Sequence, residues 1–242
     1  MNSGYLMAHV HLEDGAFSLF WVIVWTAIAL CLIWIAVYVL GRRESLTTRK
    51  MAIAAMCVAV GFAIFQIEVP IPFIGAIHMN LTPLIGILVG PGIGSLCVLI
   101  INIFSAAIGH GGWGMIGANT IVNLIEVTMG FYLYKFCRTT IKLGRFPSGF
   151  GAATIALITS AFAVVAIVTI SGIQDSAQGA EDTLRNMLLL ATVNVVAAVI
   201  EGVVTGYIVS FIGRVRPDLL PDYERGGERE SGKPEKEAIP GV

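Results

Sequence analysis

The sequence predicts an all-α protein that crosses a membrane with about seven helices, the third of them short, and three observations carry that prediction. Mean hydropathy is +0.83, and hydrophobic residues make up 56% of the 242-residue chain against 13% charged. A soluble core of this size would need far more polar covering. Long apolar runs recur along the chain, and the charge is displaced to their edges and to the C-terminus. Of 15 basic and 16 acidic residues, 13 fall from Arg214 onward. The chain therefore divides into a membrane-embedded unit, 1–213, and a charged tail, 214–242, whose mixed signs and Gly/Pro punctuation predict a solvated, flexible cytoplasmic segment. A net charge of -1 gives no sign of nucleic-acid binding.

The first run, Phe17 to Leu40, covers roughly 36 Å as a helix, enough for a hydrocarbon core about 30 Å thick. It is too long for a cleavable signal peptide and has arginines after it, so it is expected to be a permanent span. Similar runs follow at Met51 to Val69, Ile93 to Ile108, Trp113 to Phe136, Phe150 to Ile173 and Met187 to Ile212. Leu81 to Val89 is apolar but too short to cross alone. It begins after Pro70-Ile71-Pro72 and ends at Gly90-Pro91-Gly92, a turn signal that separates it from the run that follows. Cys31, Cys57, Cys97 and Cys137 are widely spaced and read as small packing residues, not as disulfides or ligands.

Basic residues follow the first helix (Arg42, Arg43, Arg49, Lys50), the fifth (Lys135, Arg138, Lys142, Arg145) and the seventh (Arg214, Arg216). By the positive-inside rule these ends are cytoplasmic, which puts the N-terminus outside and the C-terminus inside. That arrangement requires an odd number of helices.

With this topology all four histidines, His9, His11, His78 and His110, lie on the outer side. Met7 is an alternative start. Its removal would leave Ala8-His9, whose free amine, second-residue amide and imidazole can close two chelate rings on one metal ion. His78 would complete an all-nitrogen planar set of the kind that suits Ni(II) or Cu(II). If the chain starts at Met1, His9-Val10-His11 with His78 is the better set. The polar residues inside the spans are expected to face inward: Asn102 on the fourth helix, Asn119, Asn123 and Glu126 at i, i+4 and i+7 on the fifth, and Asn194, Glu201 and Thr205 on the last. Ala55, Ala59 and Ala63 make a smooth ridge on the second helix, where another helix can approach closely.

His11-Leu12-Glu13-Asp14-Gly15, Ile77-His78-Met79-Asn80, Gly86 to Pro91, Gly109-His110-Gly111-Gly112 with Gly117-Ala118-Asn119-Thr120, and Glu201 to Thr205 resemble, in order, the motifs of the CbiM/NikM family. These are substrate-binding membrane subunits of energy-coupling factor transporters for cobalt and nickel. The resemblance implies a seven-helix cell-membrane component that captures Co2+ or Ni2+ as substrate, in the service of cobalamin biosynthesis, with no catalytic cofactor. It implies metal ligation by the N-terminal segment and His78, support from His110 and Asn119, and docking of a transmembrane coupling subunit on a ridge such as Ala55-Ala59-Ala63. Cytosolic ATPase subunits and a small accessory membrane subunit complete the implied assembly. The family begins with histidine as residue two. By flanking sequence His11 matches it, and by distance from a processed terminus His9 does.

No Gly-x-x-x-x-Gly-Lys-Ser/Thr loop occurs, so ATP hydrolysis would belong to partners. A membrane-embedded hydrolase is disfavoured because neither His-Glu-x-x-His nor Gly-x-Ser-x-Gly is present. A haem carrier would want histidines within the spans. A binding component for an organic micronutrient shares the architecture and is the main rival.

Overall fold

The computed structural model of the chain describes Gly15 and residues 17–40, 47–71, 75–172 and 180–222, with side chains described at 17–38, 47–67, 79–172 and 194–222. Six helices run through it: α1 (Leu19–Ile35), α2 (Thr48–Phe65), α3 (Thr82–Ala107), α4 (Ile116–Phe136), α5 (Arg145–Ser171) and α6 (Ala180–Val215). All six include a stretch long and apolar enough to cross a membrane. The Met51 to Val69 run is shorter as a helix than its hydropathy suggests. α2 ends at Phe65, and the next residues enter an antiparallel hairpin of β1 (Glu68–Ile71) and β2 (Gly75–His78), in which Glu68 pairs with His78. Pro70 lies within β1, where its missing N–H could not have continued a helix.

α3 is one helix in name only. Gly90 has φ 84° and ψ 167°, a conformation essentially confined to glycine, and Pro91 then sets the first residue of a new helical arm. The arms fold back on each other. A Cβ added to Gly94 would sit 3.8 Å from the Gly86 Cα, whereas those Cα atoms would be about 12 Å apart on a continuous helix. Ile85 and Ile101 likewise both reach Gly61 of α2. The boundary expected at Gly90-Pro91-Gly92 falls on this reversal.

Around the hairpin of α3 the other helices pack through small residues, as helices in lipid do. Gly86 lies against the Val127 backbone of α4 and Gly130 against Pro83, while on α6 Gly202 and Gly206 admit Phe150 and Phe146 of α5. Large apolar side chains such as Leu19, Phe20, Trp34, Tyr207 and Phe211 are exposed on the outside. Asn102, Asn123, Glu126, Ser160, Glu201 and Thr205 are buried within, the distribution expected of a protein whose solvent is lipid. All four cysteines are free.

Composition assigns residues from 214 to the tail, but the fold continues through residue 222. α6 continues to Val215, Leu220 is buried, and Asp222 accepts hydrogen bonds from Arg138 Nε (2.9 Å) and Nη2 (2.7 Å) and from Tyr134 Oη (3.2 Å). Two residues that look like ordinary tail positions thus supply a hydrophobic plug and a counter-charge. Residues 223–242 lie outside the described residues.

Candidate functional site

The site is built where the chain leaves β2 and enters α3. Leu81 adopts a left-handed conformation (φ 50°), and Asn80 accepts the Thr82 amide through its side-chain oxygen (3.2 Å). The residue pair at the helix entrance is then clamped by two carboxylates. Glu201 of α6 accepts the Leu81 amide through Oε1 (2.7 Å) and the Asn80 amide through Oε2 (3.2 Å). Glu126 of α4 accepts Asn80 Nδ2 (2.9 Å), the Thr82 hydroxyl and Ser160 Oγ of α5 (2.5 Å). Backbone donors at the start of a helix have no intrahelical partner, and inside a membrane they must find one in the protein. Both carboxylates are 3% exposed, so the loop two residues beyond His78 is held by charge-assisted hydrogen bonds with little competition from solvent.

Above these carboxylates lies a cavity of about 90 Å³ lined by α4, α5 and α6. Its polar lining is Asn80, Asn119, Asn123, Glu126, Ser160, Asn194 and Glu201. α4 and α6 run parallel here, because Glu126 and Glu201 share Asn80 and Tyr134 and Val209, each eight residues further on, share a core cluster. Each helix contributes an amide and, seven residues later, a carboxylate: Asn119 with Glu126, and Asn194 with Glu201. Seven residues are two turns and about 10.5 Å of rise, so the amides form one tier and the carboxylates another. Asn123 stands between the tiers, and its Nδ2 donates to Asn102 Oδ1 (3.1 Å), whose own Nδ2 donates to Thr120 Oγ1 (3.0 Å).

The structure separates the residues singled out in the sequence. Asn119 lines the cavity; His110 is not among its lining residues. His110 sits half-buried in the turn between α3 and α4, flanked by Gly109 and Gly111 at positive φ, with its amide donated to Ser105 (2.8 Å). His78 closes β2, and His9 and His11 lie outside the described residues. Among the described residues no group of three or more His, Cys, Asp or Glu side chains gathers. Ala55, Ala59 and Ala63 are all exposed, on the face of α2 turned away from the bundle. Sequence reasoning gave Glu126 and Glu201 an inward direction but missed their partners. Asn80 stood out only as the last residue of the Ile77-His78-Met79-Asn80 resemblance, and Thr82 and Ser160 carried no signal, since a short polar side chain near a helix start or in an apolar run has many ordinary uses.

The profile of the CbiM family, described as the cobalt uptake substrate-specific transmembrane region, matches residues 11–219. The chain belongs to the CbiM family. Among its relatives, the putative cobalt transport protein CbiM 1 of Methanocorpusculum labreanum is 25% identical over 214 residues, covering 87% of this chain and 92% of that protein. The cobalt transport protein CbiM of Sorangium cellulosum is 27% identical over 217 residues, 87% and 94% of the two chains. The putative fused nickel transport protein NikMN of Archaeoglobus fulgidus is 28% identical over 223 residues, 90% of this chain and 70% of that one. In fold, this CbiM-family chain is similar to a solved structure described as a transition metal transporter, with a TM-score of 0.72 at 21% identity, covering 92% of this chain and all of the other. It is thus a multi-pass membrane protein of a cobalt and nickel transport family, whose relatives are named as transport proteins.

Proposed function

We propose that this CbiM-family protein is the substrate-capture subunit of an ATP-driven energy-coupling factor transporter importing cobalt or nickel ions. The metal is bound on the outer face by nitrogen ligands of the N-terminal segment, with His9 or His11 among them, and by His78. A transmembrane coupling subunit docks on the exposed Ala55-Ala59-Ala63 ridge, and separate ATPase subunits supply the energy.

The observation that carries this reading is the clamp on Asn80 and Leu81. The chain fixes the exit of β2 with two buried carboxylates, so His78 is carried on a backbone with little freedom to drift. Fixed ligand geometry is how a protein selects among divalent metals whose intrinsic affinities run in one order. Planar nitrogen ligation that includes a deprotonated amide also ties affinity to pH.

Intact-mass analysis of the native protein, with and without Ni2+ or Co2+, tests the reading by locating the mature N-terminus and counting bound metal. One ion per chain that is lost in His78→Ala is the expected result. Full retention of metal by His78→Ala would defeat the outer site, and stoichiometric nickel on a chain beginning at Met1 would defeat the amine chelate.

A further inference from the structure

A long groove of about 450 Å³ runs between α2, the first arm of α3 and the end of α6. On α2 its lining reaches from Arg49 to Ile64, about 22 Å of helical rise against about 15 Å of hydrocarbon in one leaflet. Leu84, Leu88 and Ile212 wall it, and Met56 and Val60, 66% and 56% exposed, mark its open side. Charge is confined to one end. Arg49 lies in the first turn of α2 and Arg216 directly follows the last residue of α6, so both stand where their helices leave the apolar layer. Their guanidiniums converge on a single oxyanion: Asp218 pairs with Arg49 Nη2 and accepts from Arg216 Nε (3.3 Å) and Nη2 (3.5 Å). An arginine pair that grips an oxyanion at the mouth of an apolar groove is an amphipathic receptor.

We infer that this groove seats an anionic phospholipid of the cytoplasmic leaflet, with its phosphate on Arg49 and Arg216 and an acyl chain lying along α2 toward Ile64. The planar fork of arginine matches phosphate as it matches carboxylate. The first turn of α2 adds the positive end of a helix dipole beside Arg49. This end of both helices is the one that the positive-inside rule assigns to the cytoplasm, where anionic lipid headgroups gather basic side chains. The walls decide between a lipid and a protein helix. The smooth Ala55-Ala59-Ala63 ridge suits close approach by a helix, whereas the groove beside it, walled by branched side chains and ended by two cations, suits a flexible chain with an anionic head. Asp218 competes with the phosphate for the same guanidiniums, so it sets the strength of the site. The inference is independent of which ion the protein carries and of the ligands that hold it.

Native mass spectrometry of the full-length protein, delipidated in detergent and titrated with phosphatidylglycerol or phosphatidylcholine, tests this. Wild type is expected to hold one phosphatidylglycerol per chain about tenfold more tightly than phosphatidylcholine, and Arg49→Gln/Arg216→Gln to bring the two lipids within about threefold. Ala52→Trp places a ring in the groove from an exposed position and should weaken both lipids about tenfold. Asp218→Asn should act in the opposite direction to the glutamine pair and tighten phosphatidylglycerol several-fold. Were the arginines there only to hold the segment after α6, the glutamine pair and Asp218→Asn would lower the melting midpoint alike and neither would move the ratio of the two lipids. Lipid-free melting midpoints of the variants separate loss of the site from loss of the fold. Equal affinity of wild type for the two lipids, or a preference that survives the glutamine pair, overturns the inference. So does full phosphatidylglycerol binding in Ala52→Trp, or displacement of the lipid by equimolar glycerol phosphate, because either would leave a surface charge with no seat for the chain.

Discussion

Glu201→Ala is the perturbation most directly readable from the structure. It removes the acceptor for two backbone amides, those of Leu81 at 2.7 Å and Asn80 at 3.2 Å. A buried donor left unpaired costs about 1–3 kcal/mol. Taking about 2 kcal/mol for each gives about 4 kcal/mol for the pair. At about 2–4 °C per kcal/mol for a chain of this size, the melting midpoint in detergent is expected to fall by about 8–16 °C. Glu201→Gln keeps one acceptor oxygen and turns an amide group toward the other donor, so about half of that loss is expected. Hydrogen exchange localises the effect: the Asn80 and Leu81 amides should lose protection in the alanine variant before the rest of α3 does. An alanine variant that melts within about 2 °C of wild type, or one that melts early with those two amides still protected, would refute the clamp.

Four further variants test the packing and the exposed face of α2. Gly86→Ala places a Cβ 2.1 Å from the Val127 carbonyl oxygen, a backbone atom that cannot swing aside, and should destabilise by about 1–3 kcal/mol. Gly151→Ala meets nothing within 4 Å and should stabilise by about 0.4–1 kcal/mol; melting shifts of the same sign in the two variants would contradict the account of α3. Arg138→Ala removes two hydrogen bonds to Asp222, and limited proteolysis should then cut near residues 217–222 several times faster, with unchanged cleavage arguing that Leu220 alone holds the segment. Ala59→Trp on the exposed face of α2 should leave the melting midpoint within about 2 °C of wild type while reducing co-purification of the coupling subunit; a fully retained partner would remove α2 from the docking surface.

Hydropathy and charge revealed the architecture because both are properties of whole segments. Lipid selects the outside of each helix by composition alone, so runs such as Phe17 to Leu40 stand out without reference to any partner. The inward direction of Asn119, Asn123 and Glu126 was also visible, since helical spacing places them on one face and a polar face cannot turn to lipid. The Gly90-Pro91-Gly92 break announced itself because both residue types act on their own backbone. What composition concealed was pairwise. Asn80 holds Glu126 from 46 positions away and Glu201 from 121, and no local pattern encodes such a meeting. The β-hairpin was hidden for a related reason: Val69 is as apolar as the helix before it, and hydropathy does not register that Pro70 cannot donate to a helical ladder. Leu220 and Asp222 were assigned to the tail because their neighbours are charged, and a single apolar residue that finds a groove leaves the average unchanged.

The spacing of the residues that line the cavity between α4 and α6 constrains its shape more tightly than its composition does. Asn119 to Glu126 and Asn194 to Glu201 are both steps of seven, and α4 and α6 run in the same direction with Glu126 and Glu201 joined through Asn80. Two helices in register therefore present amide opposite amide and carboxylate opposite carboxylate. One residue inserted in either helix would rotate its deeper group by about 100° and move it by about 1.5 Å, which would take a carboxylate out of the cavity and into the neighbouring packing. The entrance is tied to the same register. Asn80 is two residues beyond His78, so the Cα atoms of the two lie within about 7 Å, and Asn80 donates to both carboxylates. The same hydrogen bonds that hold Glu126 and Glu201 thus fix the backbone that carries His78. A change at Glu126 or Glu201 should therefore be felt at that backbone.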